Sequence, residues 1–213
     1  MNDNLLNGEI VTRRLLVEGP NDSHVCYHLL KQYGIEEKIE IRGREGINEL
    51  LKSLRVEIRG SGKRYLGVVV DADNDVVARW QAFRDILINS GYKTIPMEPS
   101  SSGTVIQEDG KPIVGIWLMP NNQTSGMIEN FLSLLVPLND PLWSFAEDVL
   151  EQVIKQDCRF PEVHKIKAHV HTWLAWQKEP GKPLGQAITK QYFDSSALHA
   201  QIFVKWIKQV FDF

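Results

Sequence analysis

Apolar and polar residues alternate along the first half of this chain in a way that separates strands from helices. Residues 13–17 (RRLLV) form a short apolar run that stops at Glu18-Gly19-Pro20-Asn21-Asp22. That pattern predicts a buried strand, a turn and the start of a helix. Pro20 suits a first helical turn, where its missing N–H costs nothing. Val25, Leu29 and Leu30 then recur at helical spacing as far as Gly34, a stop signal. Lys38–Arg42 (KIEIR) alternates like a second strand, and Ile47, Leu50, Leu51 and Leu54 mark a second amphipathic helix. Tyr65–Val70 (YLGVVV) is almost continuously apolar, as a central parallel strand covered on both faces should be. It ends in Asp71-Ala72-Asp73-Asn74-Asp75, after which Val76, Trp80, Phe83 and Leu87 set the inner face of a third helix.

The strand–helix alternation predicts an α/β fold with a mostly parallel sheet flanked by helices. Both carboxylate-rich turns fall at the C-terminal ends of their strands, the edge where open α/β sheets hold ligands. Farther on, Ser100-Ser101-Ser102-Gly103 is a loop, and Glu108-Asp109-Gly110-Lys111 is a turn between Thr104–Gln107 and Pro112–Met119. These predict a hairpin, or a loop ahead of an edge strand. Residues 120–126 form a polar loop. From Met127 onward the spacing is helical, over residues 127–135, 141–156, 162–177, 183–190 and 196–210. The expected organisation is an α/β domain over 1–135 and a helical C-terminal extension over 136–213 packed on it.

Composition narrows the function classes. The chain has 213 residues, 43% hydrophobic and 24% charged, which excludes a disordered or fibrous protein and suffices for one core. Lys and Arg number 24 against 27 Asp and Glu, a net charge of −3, so no general basic coat for nucleic acid exists. A denser basic stretch (Arg42, Arg44, Arg55, Arg59, Lys63, Arg64) reads either as a solvated face or as a phosphate-backbone surface. Cys26 and Cys158 form no CxxC or zinc spacing and read as two free, buried thiols in a reducing cytoplasm. The N-terminal residues show no signal-peptide pattern, and no apolar run reaches the ~18–20 residues that cross a bilayer. A cytoplasmic protein without a membrane partner is expected.

The candidate chemistry lies in the carboxylates. Glu18 and Asp22 follow one strand, and Asp71, Asp73 and Asp75 follow another. If the strands are neighbours, these acids converge. Clustered carboxylates repel one another unless a cation stands between them. An all-oxygen donor set selects Mg²⁺ or Mn²⁺, which leads to metal-assisted phosphodiester chemistry. Taken singly, Asp22 or Asp75 reads as a helix cap. The EF-hand pattern fails, because Val76 stands where Gly is needed and Ala82 where a bidentate Glu is needed. His169 and His171 are two apart on a helix and point ~200° away from each other. His24 and His28 share a face but lack a third ligand, and read as surface or pocket-wall residues. Gly43-x-x-Gly46 lacks the Lys-Ser/Thr of a P-loop, and no G-x-S-x-G elbow occurs. Trp143, Trp173, Trp176 and Trp206 lie in helical stretches and read as core.

The segments LLVEGPND (15–22) and LGVVVDADND (66–75) resemble the two halves of the Toprim signature, a strand ending in Glu-Gly and a second ending in D-x-D. Toprim is the metal-binding domain of bacterial primases, of type IA and type II topoisomerases, and of nucleases of the overcoming-lysogenization-defect family. The likeness covers residues 12–130. The stretches VGIWLMPNN (114–122), SGMIENFL (125–132) and HTWLAWQKEPGKPLGQAIT (171–189) are similar to an uncharacterised bacterial family of Toprim-like proteins. In that family Asp is usual where this chain has Asn121. The resemblance implies a Toprim-like, Rossmann-like sheet and a metal site made by Glu18, Asp22, Asp71, Asp73 and Glu129. Glu18 would also serve as general acid or base, and Lys182 would neutralise transition-state charge. Glu129 reads equally as a carboxylate placed at a helix start, and Lys182 as a solvated loop lysine. The implied function is Mg²⁺- or Mn²⁺-dependent phosphodiester chemistry on DNA or RNA, as a nuclease. The alternative is a non-catalytic metal- or nucleotide-binding module with a protein partner, in a regulatory or phage-defence role. No tyrosine is assignable as a strand-transfer nucleophile.

Overall fold

The structure, a computed structural model, describes residues 4–6, 9–60 and 62–213. Its elements are β1 (Asn4–Leu6), β2 (Glu9–Val17), α1 (Pro20–Gln32), β3 (Glu40–Gly43), α2 (Ile47–Ile58), β4 (Lys63–Asp71) and α3 (Val76–Asn89). They are followed by β5 (Thr104–Ile106), β6 (Ile113–Met119), α4 (Ile128–Ser133), α5 (Pro141–Asp157), α6 (Lys165–Ala175), α7 (Leu184–Thr189) and α8 (Leu198–Phe211). The central strands run β2-β4-β6 in parallel. On the outer side of β2, β1 pairs antiparallel with its first residues and β3 parallel with its last. β5 closes the other edge antiparallel to β6. The strand expected over Lys38–Arg42 begins instead at Glu40, because Glu36–Lys38 forms a 3₁₀ turn leading into β3. The hairpin forms as expected, but β5 is its edge strand, while β6 lies inside the sheet beside β4.

Strand geometry sends successive side chains to opposite faces, and the core divides accordingly. Leu15, Val17, Val69, Trp117 and Met119 face α1, α4, α6 and α8. Leu16, Leu66, Val68, Val70, Ile116 and Leu118 face α2 and α3. The result is a three-layer α/β/α arrangement, with β4 buried on both faces as its continuous apolar run requires. The C-terminal helices share the first of these cores. α8 lies against β4, β5 and β6, carrying Phe203 and Trp206 onto Trp117 at ring separations of 5.1 and 5.5 Å. Gly115 permits this approach, because a Cβ there would stand 2.1 Å from Val210 Cγ2. α7 packs on α1 just as closely, with Gly185 against the His24 carbonyl.

Two expectations about burial need correction. Cys26 is buried, but Cys158 is exposed, because it lies past the last turn of α5 and its thiol reaches only the Phe160 carbonyl. Trp173 and Trp206 are core, whereas Trp176 is 36% exposed and packs against the exposed Phe145. Among the described residues no helix is long and apolar enough to cross a membrane.

Candidate functional site

Parallel pairing of β2 with β4 puts Glu18 beside Asp71 at one end of the sheet. Val17 is level with Val69, so Glu18 leaves its strand next to the end of β4. The Asp71 N–H donates to Glu18 Oε2 at 3.3 Å, and the Ile47 N–H at the start of α2 donates to the same carboxylate. The loop between β3 and α2 completes this clasp, with Arg44 N–H bonded to the Val17 carbonyl and Gly46 N–H to the Glu18 carbonyl. Glu18 is therefore held by backbone donors from two other elements.

Asp22 enters from α1. Gly19 caps that helix without a side chain, and Asp22, in the first turn, is reached by the N–H groups of Gly19 and of Asp22 itself. Its Oδ1 is buried and has no hydrogen-bond partner. Asp71 Oδ1 is in the same condition. Asp73 stands at φ 52°, where its N–H and carbonyl exchange hydrogen bonds with Gly126. The loop after β4 is thereby zipped to the loop after β6. Asp75 caps α3, its Oδ1 accepting from the Ala78 N–H at 2.9 Å, the helix-cap role expected of it singly.

Glu129 arrives from the second position of α4 and is buried, with Lys167 Nζ of α6 at 3.4 Å. Asp73 is ion-paired with Arg79 of α3. Sequence reading offered neither cation. Arg79 is six residues from its acid and Lys167 thirty-eight from Glu129, and neither separation is the three- or four-residue spacing that marks a pair on one helix face. Lys182 pairs instead with Glu179 at 3.0 Å in the turn before α7, and no contact among the described residues joins it to the acids. Asn121 Oδ1 accepts from Gln123 N–H, Thr124 N–H and Thr124 Oγ1, so it shapes its own loop. Asn122 is the fully buried residue of that loop, at φ 65° with Oδ1 on the Leu118 N–H.

The acids feel one another. Burial, then the charges of Asp22, Glu18, Glu129 and Asp73, push the Asp71 carboxyl up to about 8. Burial, assisted by Glu18 and Glu129, pushes Asp22 up to about 6 against its two backbone donors. Glu18 is raised by burial too, opposed by the Asp71 N–H and by Arg79. Of the basic stretch, Arg42 and Arg64 turn with Arg14 onto Glu57 and Glu40, which spends their charge within the protein. Arg55 and Arg59 remain exposed on and just after α2. Lys63's side chain lies outside the described residues. His169 is buried, its Nε2 on the Trp143 carbonyl at 2.9 Å and its ring stacked on Trp143, while His171 is exposed.

A family model described as "Protein of unknown function (DUF3226)" matches residues 12–212. The chain belongs to that family. The match runs from β2 through α8, so the DUF3226 unit contains both the sheet and the C-terminal helices. No curated protein and no solved structure matches the chain.

The acid edge of this DUF3226 chain presents only oxygen donors to a cation. Among the described residues no three Asp, Glu, His or Cys side chains already enclose a cation-sized space. Asp73 and Glu129 are turned onto Arg79 and Lys167. The buried oxygens without partners on Asp22 and Asp71 nevertheless fit a hard cation, because a buried carboxylate oxygen needs a positive or hydrogen-bonding partner. Binding would then take a proton from Asp71 and swing Asp73 off Arg79.

Proposed function

We propose that this protein binds Mg²⁺ or Mn²⁺ through Glu18, Asp22, Asp71, Asp73 and Glu129, and that it cleaves the phosphodiester backbone of nucleic acid in the manner of a Toprim nuclease. The observation that carries the reading is the pair of buried, unpartnered carboxylate oxygens on Asp22 and Asp71 at one sheet end, where Asp71 also feels the charges of Glu18, Glu129 and Asp73. The likeness of residues 15–22 and 66–75 to the Toprim signature supports the same fold assignment. A divalent cation held there would supply Lewis acidity to a phosphoryl oxygen and would acidify a water. Glu18, fixed by the Asp71 and Ile47 N–H groups, orients the site and can take a proton from that water. Burial and the neighbouring acids favour a proton on Asp71 at neutral pH, which it would give up on holding a cation. Lys167 stands close enough to Glu129 to offset charge developing there, a role Lys182 could take only by leaving Glu179. Two unpaired cysteines suit a reducing cytoplasm.

The test is cleavage of plasmid and single-stranded DNA or RNA with Mg²⁺ or Mn²⁺, comparing the wild type with an Asp71→Ala/Asp73→Ala double variant. Metal-dependent cleavage by the wild type alone is expected. Equal cleavage by both proteins would trace the activity to a contaminant and refute the proposal. A second reading, a non-catalytic metal- or nucleotide-binding module with a regulatory or phage-defence partner, is favoured by the ion pairs that occupy Asp73 and Glu129. Metal-dependent nucleotide binding without cleavage would select it.

A further inference from the structure

Beside the acid edge lies a cleft of about 390 Å³ that shares Asp73 with it. Its floor comes from the loop that ends at Met127, and its walls from α5, α6 and the 3₁₀ turn Glu162–His164 before α6. We propose that this cleft receives an unpaired nucleobase bearing an exocyclic amino group, so that the substrate is single-stranded and read at one base. The inference rests on the phosphodiester reading above and extends it to substrate class.

Size and shape support a base. A purine ring with its sugar fills much of such a space, whereas a duplex presents its bases stacked and paired and would first have to flip one out. Met127, Val163 and Ile166 provide apolar surface for the ring faces. The rim chemistry excludes the phosphates themselves. Glu147 and Glu162 line the opening, while Lys165, the cation among the lining residues, is ion-paired with Glu151. His169 commits Nε2 to the Trp143 carbonyl. The cleft is therefore rich in acceptors and net negative. A phosphate is repelled from it, while the amino groups of adenine, cytosine or guanine find carboxylates to donate to. Thymine and uracil carry a carbonyl in place of the exocyclic amino group, so only the single ring N3–H remains to donate to those acceptors. Asn130, whose Oδ1 takes the Met127 N–H, keeps its amide N–H₂ for a ring nitrogen.

The experiment uses the full chain in Ca²⁺, a divalent ion that supports binding while slowing cleavage, with fluorescent dA, dC and dT dodecamers and a dA·dT duplex. Binding is read by anisotropy. We expect dA and dC to bind about tenfold tighter than dT, the worth of one or two hydrogen bonds, and the duplex to bind weakest. Val163→Trp, at an exposed turn residue, fills the cleft and should bring the dA/dT ratio close to one. Glu147→Gln/Glu162→Gln should do the same without filling it. Neither variant should alter the rise in melting temperature that Mg²⁺ produces. Equal affinity for dA and dT, or a preference that survives Val163→Trp, overturns the base-pocket inference while leaving the metal site standing. Loss of the Mg²⁺ effect together with all oligonucleotide binding in the wild type overturns the parent reading, and this inference with it. Retention of a Lys-rich peptide but not dA would assign the cleft to a basic protein segment instead and equally overturn it.

Discussion

Replacing Asp71 by Asn measures what the acid edge costs the fold. Asp71 ends β4 with one buried, unpartnered oxygen, and its carboxyl is moved from 3.8 up to about 8. Between those values the folded chain keeps a proton that the unfolded chain has released. The contribution of Asp71 to folding stability is therefore most favourable below about pH 4, becomes less so as the pH rises, and levels off above about pH 8. Treated as a lone group, Asp71 costs about 4 kcal/mol at pH 7. Asp22 and Glu18 share the same repulsion and titrate with it, so a working figure is about 2 kcal/mol. An amide keeps the shape, removes the charge and adds donors facing the neighbouring carboxylates. Asp71→Asn should raise the melting temperature by about 4–8 °C at pH 8 for a chain of this length, change little near pH 4, and flatten the pH slope. Scanning calorimetry between pH 4 and pH 8 reads all three. Mg²⁺ should stabilise the wild type and not the variant. A variant less stable than the wild type at pH 8, or one with an unaltered pH slope, would show that Asp71 carries no buried charge penalty and would refute the reasoning.

Four further outcomes follow from the same packing and charges. Mg²⁺ affinity, measured by titration calorimetry, should rise about tenfold or more from pH 6 to pH 8 as Asp22 and Asp71, raised to about 6 and about 8, give up their protons; a flat profile would contradict the acid-edge site. Lys167→Met should cost about 1–2 kcal/mol in urea unfolding, since it strands the buried Glu129, and Glu129→Gln in that background should recover most of it. Gly185→Ala should cost about 2–3 kcal/mol, because its Cβ would lie 2.6 Å from the His24 carbonyl oxygen and α7 would have to back away from α1. A thiol reagent should modify Cys158 rapidly in the native protein and Cys26 only after unfolding, so a native count of two fast thiols would be inconsistent with the packing of α1.

Local pattern carried much of the architecture. The apolar runs of β2 and β4, the apolar spacing of α1 to α3 and the Asp-rich turns are properties of short segments, and local pattern reports them because side-chain direction is set by backbone geometry. The acidic positions Glu18, Asp22, Asp71 and Asp73 were visible for the same reason, each lying just past a strand that the pattern marks. Their meeting was conditional on β2 and β4 being neighbours, which register between distant strands settles. Helix-to-helix and loop-to-loop contacts left no such trace. The pairing of Arg79 with Asp73, of Lys167 with Glu129 and of the Asp73 backbone with Gly126 depends on how separate elements are brought together. So do the position of Lys182 away from the acids and the exposure of Cys158, whose helix ends one residue before it.

The order of residues thus laid down the strands, the helices and the carboxyl groups available at their ends. Packing chose which charges face one another and how far each is withdrawn from water. That division is physical: hydrogen bonding and side-chain alternation act over a few residues, whereas electrostatic repulsion and desolvation act through space, and take their values only once β2, β4, α1 and α4 share one end of the sheet.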